Sequence, residues 1–293
     1  SRLPGPLLTR AWDLGLIDAP RGSDVVHCVS QATPPSHDAA LVVTIHDLAW
    51  RVLPDAFPPR GRRWHEASFE RALRRADRFV VPSVPTADDL ARAGAPASSI
   101  LVISPGADHL PEPDDDSARK WLQRLGVDGE FLLSVGTLEP RKNLERLAAA
   151  YRLCRPALPE PWPLVVVGPT GWGAIPSDVH GLIAGGRVAP AVLASLYKRA
   201  RMLVYVPLFE GFGLPPIEAM RAGTAVVASP MPSTTEAALV VDPLEPASIA
   251  EGILSVSSDD VGRRALIEAG FERTKEMTWE TVGRDHVTLW SEL

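Results

Sequence analysis

Cysteine is scarce in this chain: 293 residues include Cys28 and Cys154 and no others. Two thiols exclude a framework of several disulfides and fit a reducing compartment. Long hydrophobic runs are also missing. No stretch approaches the roughly 18 uninterrupted apolar residues that a membrane-spanning helix needs. Positive charge is not in excess. Thirty Lys and Arg face 36 Asp and Glu, for a formal net charge of −6 and a pI near 5.7. A general attraction to nucleic acid is therefore not expected. No His-Glu-x-x-His and no Cys-x-x-Cys occurs, so the common zinc signatures are absent. The start, Ser1-Arg-Leu-Pro-Gly-Pro, has neither an initiator Met nor a signal-peptide pattern. The expectation is a cytoplasmic protein whose natural beginning lies upstream.

What is present is ordinary for a globular protein: 45% hydrophobic and 23% charged residues. The length suits two domains of roughly 100–200 residues each. Proline alone deviates. Its 29 residues are about twice the usual share of roughly 5%, and their dispersal among apolar runs reads as rigid loops.

Short apolar runs recur between amphipathic stretches. Asp24–Ser30, Leu41–Ile45, Arg78–Pro82 and Ile100–Ser104 read as strands. They are continuous rather than alternating, as in strands covered on both faces. Arg62–Arg78 has a helical period through Phe69, Ala72, Leu73 and Ala76, and Thr86–Arg92 reads as a helix with Thr86 as N-cap and acids in its first turn. His109–Ser117 is proline-rich and acidic and reads as a loop or hinge, followed by a helix to Leu125. The pattern then restarts. Strands are expected at Phe131–Val135, Pro163–Val167, Met202–Val206 and Ala225–Ser229. Helices are expected at Asn143–Leu153, Ala189–Arg199, Pro216–Ala222 and Ala247–Val256. Strands alternating with helices imply parallel sheets. The fold class is thus α/β, with two Rossmann-like doubly wound domains facing a cleft, at 1–110 and 111–278. Ligands in such sheets sit beyond the carboxyl ends of the strands.

Two strand-end segments carry the chemistry. The first is Pro207-Leu-Phe-Glu-Gly-Phe-Gly-Leu-Pro-Pro-Ile-Glu-Ala-Met220. Gly211 and Gly213 permit close backbone approach, and Pro215 and Pro216 suit a helix start. Free amides there can hold an anion such as a diphosphate. Glu210 and Glu218 can accept hydrogen bonds from sugar or ribose hydroxyls. The same residues also fit a plain turn with a helix-dipole acid. The second segment is Ser134-Val-Gly-Thr-Leu-Glu-Pro-Arg-Lys-Asn143. Its Lys142 offers a point charge and its Arg141 a two-pronged donor to the same anion; the alternative is a solvated basic pair.

Both segments resemble the nucleotide-sugar site of retaining glycosyltransferases of the GT-B architecture, in particular glycosyltransferase family 4. The family's Glu-Gly-Phe-Gly-Leu-Pro-x-x-Glu run is present from Glu210 to Glu218 without a gap. Its phosphate loop, usually Val-Gly-Arg-Leu-x-x-x-Lys-Asn, reads Val135-Gly-Thr-Leu-Glu-Pro-Arg-Lys-Asn143. Thr137 replaces the usual Arg, a form found in a subset of the family that resembles GDP-mannose users, and Arg141 is the candidate support for Lys142. Thr44-Ile-His-Asp-Leu48 resembles the loop that places a His near the donor sugar, here His46. Val81–Leu90 and Val102–Asp108 resemble further family stretches, and Gly186-Arg-Val188 falls where the family's backbone contacts the base. No counterpart of the family's first strand, glycine-rich loop and helix is read before Asp24, so a first domain incomplete by about a quarter is the expectation.

The resemblance implies transfer of a hexose, with mannose favoured, from a nucleoside diphosphate sugar to a glycan or lipid-linked acceptor. The anomeric configuration would be retained and no metal or other cofactor needed. His46, Glu210 and Lys142 would be catalytic. Gly136, Thr137, Arg141, Lys142, Val188, Glu210, Gly211, Phe212, Gly213, Leu214 and Glu218 would bind the donor. A nucleotide-sugar epimerase of the same fold and a non-catalytic nucleotide-binding protein remain alternatives. A dehydrogenase is disfavoured because the third glycine of Gly-x-Gly-x-x-Gly is replaced by Pro216. Between Arg60 and Arg78, seven arginines face Glu66, Glu70 and Asp77, with Trp64 and Phe69 interleaved. This could be a basic helix that touches anionic membrane at the inner face, or an ordinary solvated one. Finally, 279–293 reads as a helix with Trp279, Val282, His286 and Leu289 on one face, and by resemblance it packs back on the first domain.

Overall fold

The computed structural model describes residues 4–36, 38–176 and 178–293. Ser1–Leu3, the start of the sequence read above, lie outside the described residues. The chain divides into two compact units: residues up to Pro105 together with Glu280–Leu293, and Gly106–Trp279.

In the first unit, helix α1 (Gly5–Asp13) precedes strands β1 (Val25–Cys28) and β2 (Ala40–Thr44). A short helix α2 (Ala49–Val52), helix α3 (Pro59–Arg75), strand β3 (Arg78–Val81), helix α4 (Val84–Arg92) and strand β4 (Ile100–Val102) follow. The four strands form one parallel sheet in the order β1-β2-β3-β4. Leu41, Val43, Phe79 and Val81 pack with Phe69 and Ala72 of α3 and Leu90 of α4, which is why these strands read as continuous apolar runs. Helix α4 begins earlier than its sequence suggests. Ser83, not Thr86, is the N-cap, accepting from the Thr86 amide, and no acid stands in the first turn. Pro85 tolerates the first turn because its missing N–H would be unpaired there anyway.

The second unit carries α5 (Asp115–Arg124), β5 (Leu132–Val135), α6 (Leu144–Cys154), β6 (Leu164–Val167), β7 (Leu182–Gly186), α7 (Pro190–Arg199) and β8 (Met202–Tyr205). It continues through α8 (Leu214–Arg221), β9 (Ala225–Ala228), β10 (Leu239–Val240), α9 (Pro246–Ser258) and α10 (Asp260–Thr274). Its parallel sheet runs β10-β9-β8-β5-β6-β7. Read from the other edge, the order reverses direction between β5 and β8, which makes this a doubly wound sheet with its switch point there. One core layer holds Leu132, Leu164, Val166, Met202 and Val227 against α6 and α9; the other holds Leu133, Val165, Leu203 and Val226 against α7 and α8.

Two boundaries differ from the sequence reading. The first unit ends at Pro105, not 110. Ala107 already belongs to the second core, and its amide donates to the Met277 carbonyl. The last helix α11 (Trp279–Ser291) joins the first unit from Glu280 onward. Val282 and Leu289 pack on Val42, Val80 and Ile103. Trp279 does not share that face. It is 44% exposed and lies against Gly106 and His109 of the second unit.

His27 of β1 stacks on His286 of α11 at 5.3 Å, bonds to Thr44 Oγ1 at 2.9 Å and accepts from Trp290 Nε1 at 3.3 Å. Burial, with the nearby His286, pushes its pKa down from 6.5 to about 4. The unfolded chain therefore binds the proton that the folded chain refuses. This contribution is intact above pH 6.5 and is lost as the pH falls toward 4. Thermal melts from pH 7 to pH 4.5 should show a steeper loss of Tm for the wild type than for His27→Gln. His65 is depressed in the same direction by burial, so a residual slope is expected in the variant.

Of the seven arginines between Arg60 and Arg78, Arg71 pairs with Asp13 and Arg75 donates to the Thr33 carbonyl. Phe69 is fully buried. The exposed basic surface of α3 reduces to Arg60, Arg62, Arg63 and Arg74 around Trp64.

Candidate functional site

The switch point brings the two predicted loops together. After β5 the chain passes Gly136 and makes a 3-10 turn over Pro140–Lys142. It then reverses at Asn143, which adopts a left-handed conformation (φ 60°). Asn143 is held there because its side-chain amide donates to the carbonyls of Val206 and Pro243. After β8 the chain runs through Leu208, whose amide donates to the Arg141 carbonyl at 2.9 Å. The loops are therefore tied through backbone as well as side chains.

Between them lies a compact charged group. Lys142 Nζ donates to Glu210 Oε1 at 2.6 Å and to Tyr205 Oη at 2.8 Å. Arg141 pairs with the same Glu210 oxygen at 2.8 Å and with Glu139 at 2.7 Å, and donates to the Phe209 carbonyl. Tyr205 Oη donates to Glu210 Oε1 at 2.9 Å. The side chains of Lys142 and Glu210 are 13% and 11% exposed. Burial works to raise the Glu210 pKa, but the charges of Lys142 and Arg141 and the hydrogen bonds from Lys142 and Tyr205 outweigh it and hold it below the usual carboxylate range. Burial together with the Glu210 charge pushes the Tyr205 phenol well above its ordinary value, so Tyr205 stays a donor. The stem of Lys142 lies on Gly136, where a Cβ would come within 3.3 Å of its Cε.

Glu218, in the second turn of α8, is the other carboxylate. It is 8% exposed. Tyr197 Oη of α7 donates to its Oε2 at 2.6 Å, and His109 Nε2 meets its Oε1 at 2.9 Å. That hydrogen bond holds the His109 pKa above its ordinary value against the effect of burial. Each glutamate of the run is thus backed by a buried tyrosine and faced by a basic side chain.

Gly213 caps α8 with φ 92°. A Cβ there would collide with Met231 Sδ and sit 2.7 Å from Ser233 Oγ. Gly213→Ala should cost about 2 kcal/mol or more through strain and crowding, read as a lower urea midpoint. Pro215 and Pro216 remove two amides from the first turn. The amides that remain just ahead of these prolines are those of Gly211 to Leu214.

The expected site residues do not all gather. Lys142, Arg141 and Glu210 do, with Gly136 beneath them and Gly211, Phe212, Gly213 and Leu214 on the adjoining turn. Thr137 packs on Gly171 of the loop after β6. Val188 follows β7, two strands from β5. His46 is exposed in the first unit and its Nε2 donates to the Val29 carbonyl at 2.9 Å. Arg141 is committed to Glu139, Glu210 and Phe209, so it braces the loops. Tyr197, Tyr205, Glu139 and His109 escaped the sequence reading. The tyrosines looked like core, and His109 sits in a stretch without period. Among the described residues, no group of three or more His, Cys, Asp or Glu side chains is arranged to hold a metal ion.

Residues 118–273 match the model of the family described as glycosyl transferases group 1, and residues 2–109 match that of Glycosyltransferase Family 4. The chain belongs to the group 1 glycosyltransferases. It is 31% identical over 258 residues to O-antigen chain mannosyltransferase B of Escherichia coli, covering 82% of this chain and 67% of that protein. To a D-inositol 3-phosphate glycosyltransferase of Geodermatophilus obscurus it is 33% identical over 276 residues, covering 85% of this chain and 59% of the relative. The chain thus spans about three fifths to two thirds of the length of these two relatives. Among solved structures it is similar to sucrose-phosphate synthase from Thermosynechococcus elongatus, with a TM-score of 0.77 at 22% identity over 100% of this chain and 80% of that one. The two parallel-sheet α/β units are those of the GT-B glycosyltransferase fold.

Proposed function

We propose that this group 1 glycosyltransferase moves a mannosyl residue from GDP-mannose to a glycan or lipid-linked acceptor with retention at the anomeric carbon and without a metal. The observation that carries the reading is the Lys142–Glu210–Tyr205 group at the switch point of the sheet, built from the two motif loops. Similarity to an O-antigen chain mannosyltransferase favours mannose, as does the Gly-Thr-Leu-Glu-Pro-Arg-Lys-Asn form of the phosphate loop.

Glu218 receives the ribose hydroxyls. Lys142 and the backbone amides from Gly211 to Leu214 neutralise the diphosphate as it leaves, a preorganised stabilisation worth about 3–4 kcal/mol for each strong donor. Glu210 aligns Lys142 and accepts from sugar hydroxyls, which fixes the anomeric carbon. His46 belongs to the acceptor side. Exposed Arg60, Arg62 and Arg63 beside Trp64 offer contact with anionic lipid near a lipid-linked acceptor. Co-sedimentation with anionic vesicles at low salt checks that point, and no binding removes it.

Thermal unfolding with GDP, UDP and ADP tests the donor. A nucleotide at 100 times its Kd adds about 2.7 kcal/mol if it binds only the folded chain. Stabilisation by GDP alone is expected. Stabilisation by UDP alone replaces the donor, and no shift with any of the three overturns the reading. Product analysis with GDP-mannose separates transfer, which needs an acceptor, from epimerisation, which does not.

A further inference from the structure

We infer that His109 is a positioning residue for the donor's ribose: it holds the Glu218 carboxylate so that its oxygens accept the 2′- and 3′-hydroxyls. This rests on reading Glu218 as the ribose ligand. His109 lies outside both motif loops, on the segment by which the chain enters the second unit. Its Nε2 meets Glu218 Oε1 at 2.9 Å, and this contact holds the ring's pKa above its ordinary value. A carboxylate only accepts, so Nε2 donates to it, and the imidazolium does so with a full charge behind the bond. The opposite oxygen, Oε2, is held by Tyr197 Oη at 2.6 Å. Tyr197 is fully buried on α7, with its own carbonyl bound to Thr224. The carboxylate is therefore gripped from two sides by groups on separate elements. Each oxygen keeps a lone pair for an incoming hydroxyl.

The segment that carries His109 is itself fixed. Gly106 lies flush on the Trp279 backbone, and Ala107 donates to the Met277 carbonyl at 2.8 Å. Asp108 accepts from the Trp279 amide at 2.8 Å, and the Trp279 ring stands edge-on to His109 at 6.1 Å. A firmly seated histidine opposite a buried carboxylate is a locating pin, not a loose surface pair. The groups that bear on its charge are Asp108 on its own segment, Glu218 and Arg221 on α8, and Tyr197 and Lys198 on α7. Asp108, Lys198, Glu218 and Arg221 line one cavity of about 220 Å³ beside the pair. From the start of α11 it meets the Trp279 ring, which does not titrate.

The test measures Kd by calorimetry for GDP and UDP and for their 2′,3′-dideoxy forms, at pH 6 and pH 9. The proteins are the wild type, His109→Ala, His109→Gln and Glu218→Gln. The wild type is expected to prefer the ribonucleotide. His109→Ala should lose about tenfold for the ribonucleotide and stay within about twofold for the dideoxy form. His109→Gln, whose amide still donates, should recover part of the loss. The wild-type preference should shrink from pH 6 to pH 9 while that of His109→Ala stays flat. If His109→Ala proves unstable in urea, His109→Gln and the pH dependence carry the test. Equal loss for both nucleotide forms, or a preference that survives His109→Ala, overturns the role of His109 and leaves Glu218 as ribose ligand. A wild type blind to the ribose hydroxyls, or one that binds neither nucleotide, overturns the reading of Glu218 and the inference with it.

Discussion

Lys142→Ala should lower kcat for mannosyl transfer by about 10²–10³ while leaving most of the stability in place. The activity loss follows from removing a preorganised cation where charge develops on the leaving diphosphate. The stability is retained because Glu210 keeps Arg141 at 2.8 Å and the Tyr205 hydroxyl at 2.9 Å. Glu210→Ala is the complementary case. It strands the buried cations of Lys142 and Arg141 without their common partner, and breaking such a buried group costs about 3–5 kcal/mol. Activity and stability should then fall together. Glu210→Gln preserves shape and removes only charge, so it should rank between the two in urea unfolding. The pH dependence carries the same sign. Glu210 is held below its ordinary pKa by its cations, so its contribution is present above the unfolded carboxylate range and is lost as pH falls through the folded value. Unchanged turnover in both Lys142→Ala and Glu210→Ala would remove the catalytic assignment.

The central strands and both motif loops were legible because buried parallel strands are short, continuous apolar runs followed by glycine-bearing turns. Leu132–Val135 and Met202–Tyr205 are of this kind. Elements lacking that signal were missed. Strand β7 reads Leu-Ile-Ala-Gly-Gly and is only partly covered, since it lies at a sheet edge. Strand β10 has two residues. Helix α10 exposes Val261 and Phe271, which blurs its apolar stripe. Within the site, the sequence displays residues that motifs fix, Lys142, Glu210 and Glu218. It hides those that act through a distant partner. Tyr197 and Tyr205 occupy apolar positions in a helix and a strand, and their role lies in one hydroxyl each. His109 becomes informative only when α8 brings Glu218 to it, 109 residues further along the chain.

The loop after β6 supplies the second large effect. Gly168 donates to the Gly186 carbonyl, Leu138 donates to Pro169 at 3.0 Å, and Gly173 donates to Leu138 at 2.8 Å. This loop is thereby zipped onto the phosphate loop. A Cβ on Gly168 would collide with the carbonyl oxygen of Gly136. That atom is backbone, fixed because the Gly136 amide donates to Val167 at 2.9 Å, so no side-chain rotation relieves the clash. Gly168→Ala should therefore cost about 3 kcal/mol, the upper part of the usual range for overpacking. Its functional effect should exceed what stability alone explains. Gly136 supports the Lys142 stem, and any shift of its peptide moves Nζ off Glu210, where displacement of about 1 Å is costly to catalysis. Gly129→Ala is the control, because a Cβ there meets nothing within 4 Å. Urea midpoints and kcat for both variants, measured where each is fully folded, decide the matter. A Gly168→Ala protein that loses stability but keeps full turnover would show that the phosphate loop holds its geometry without this neighbour.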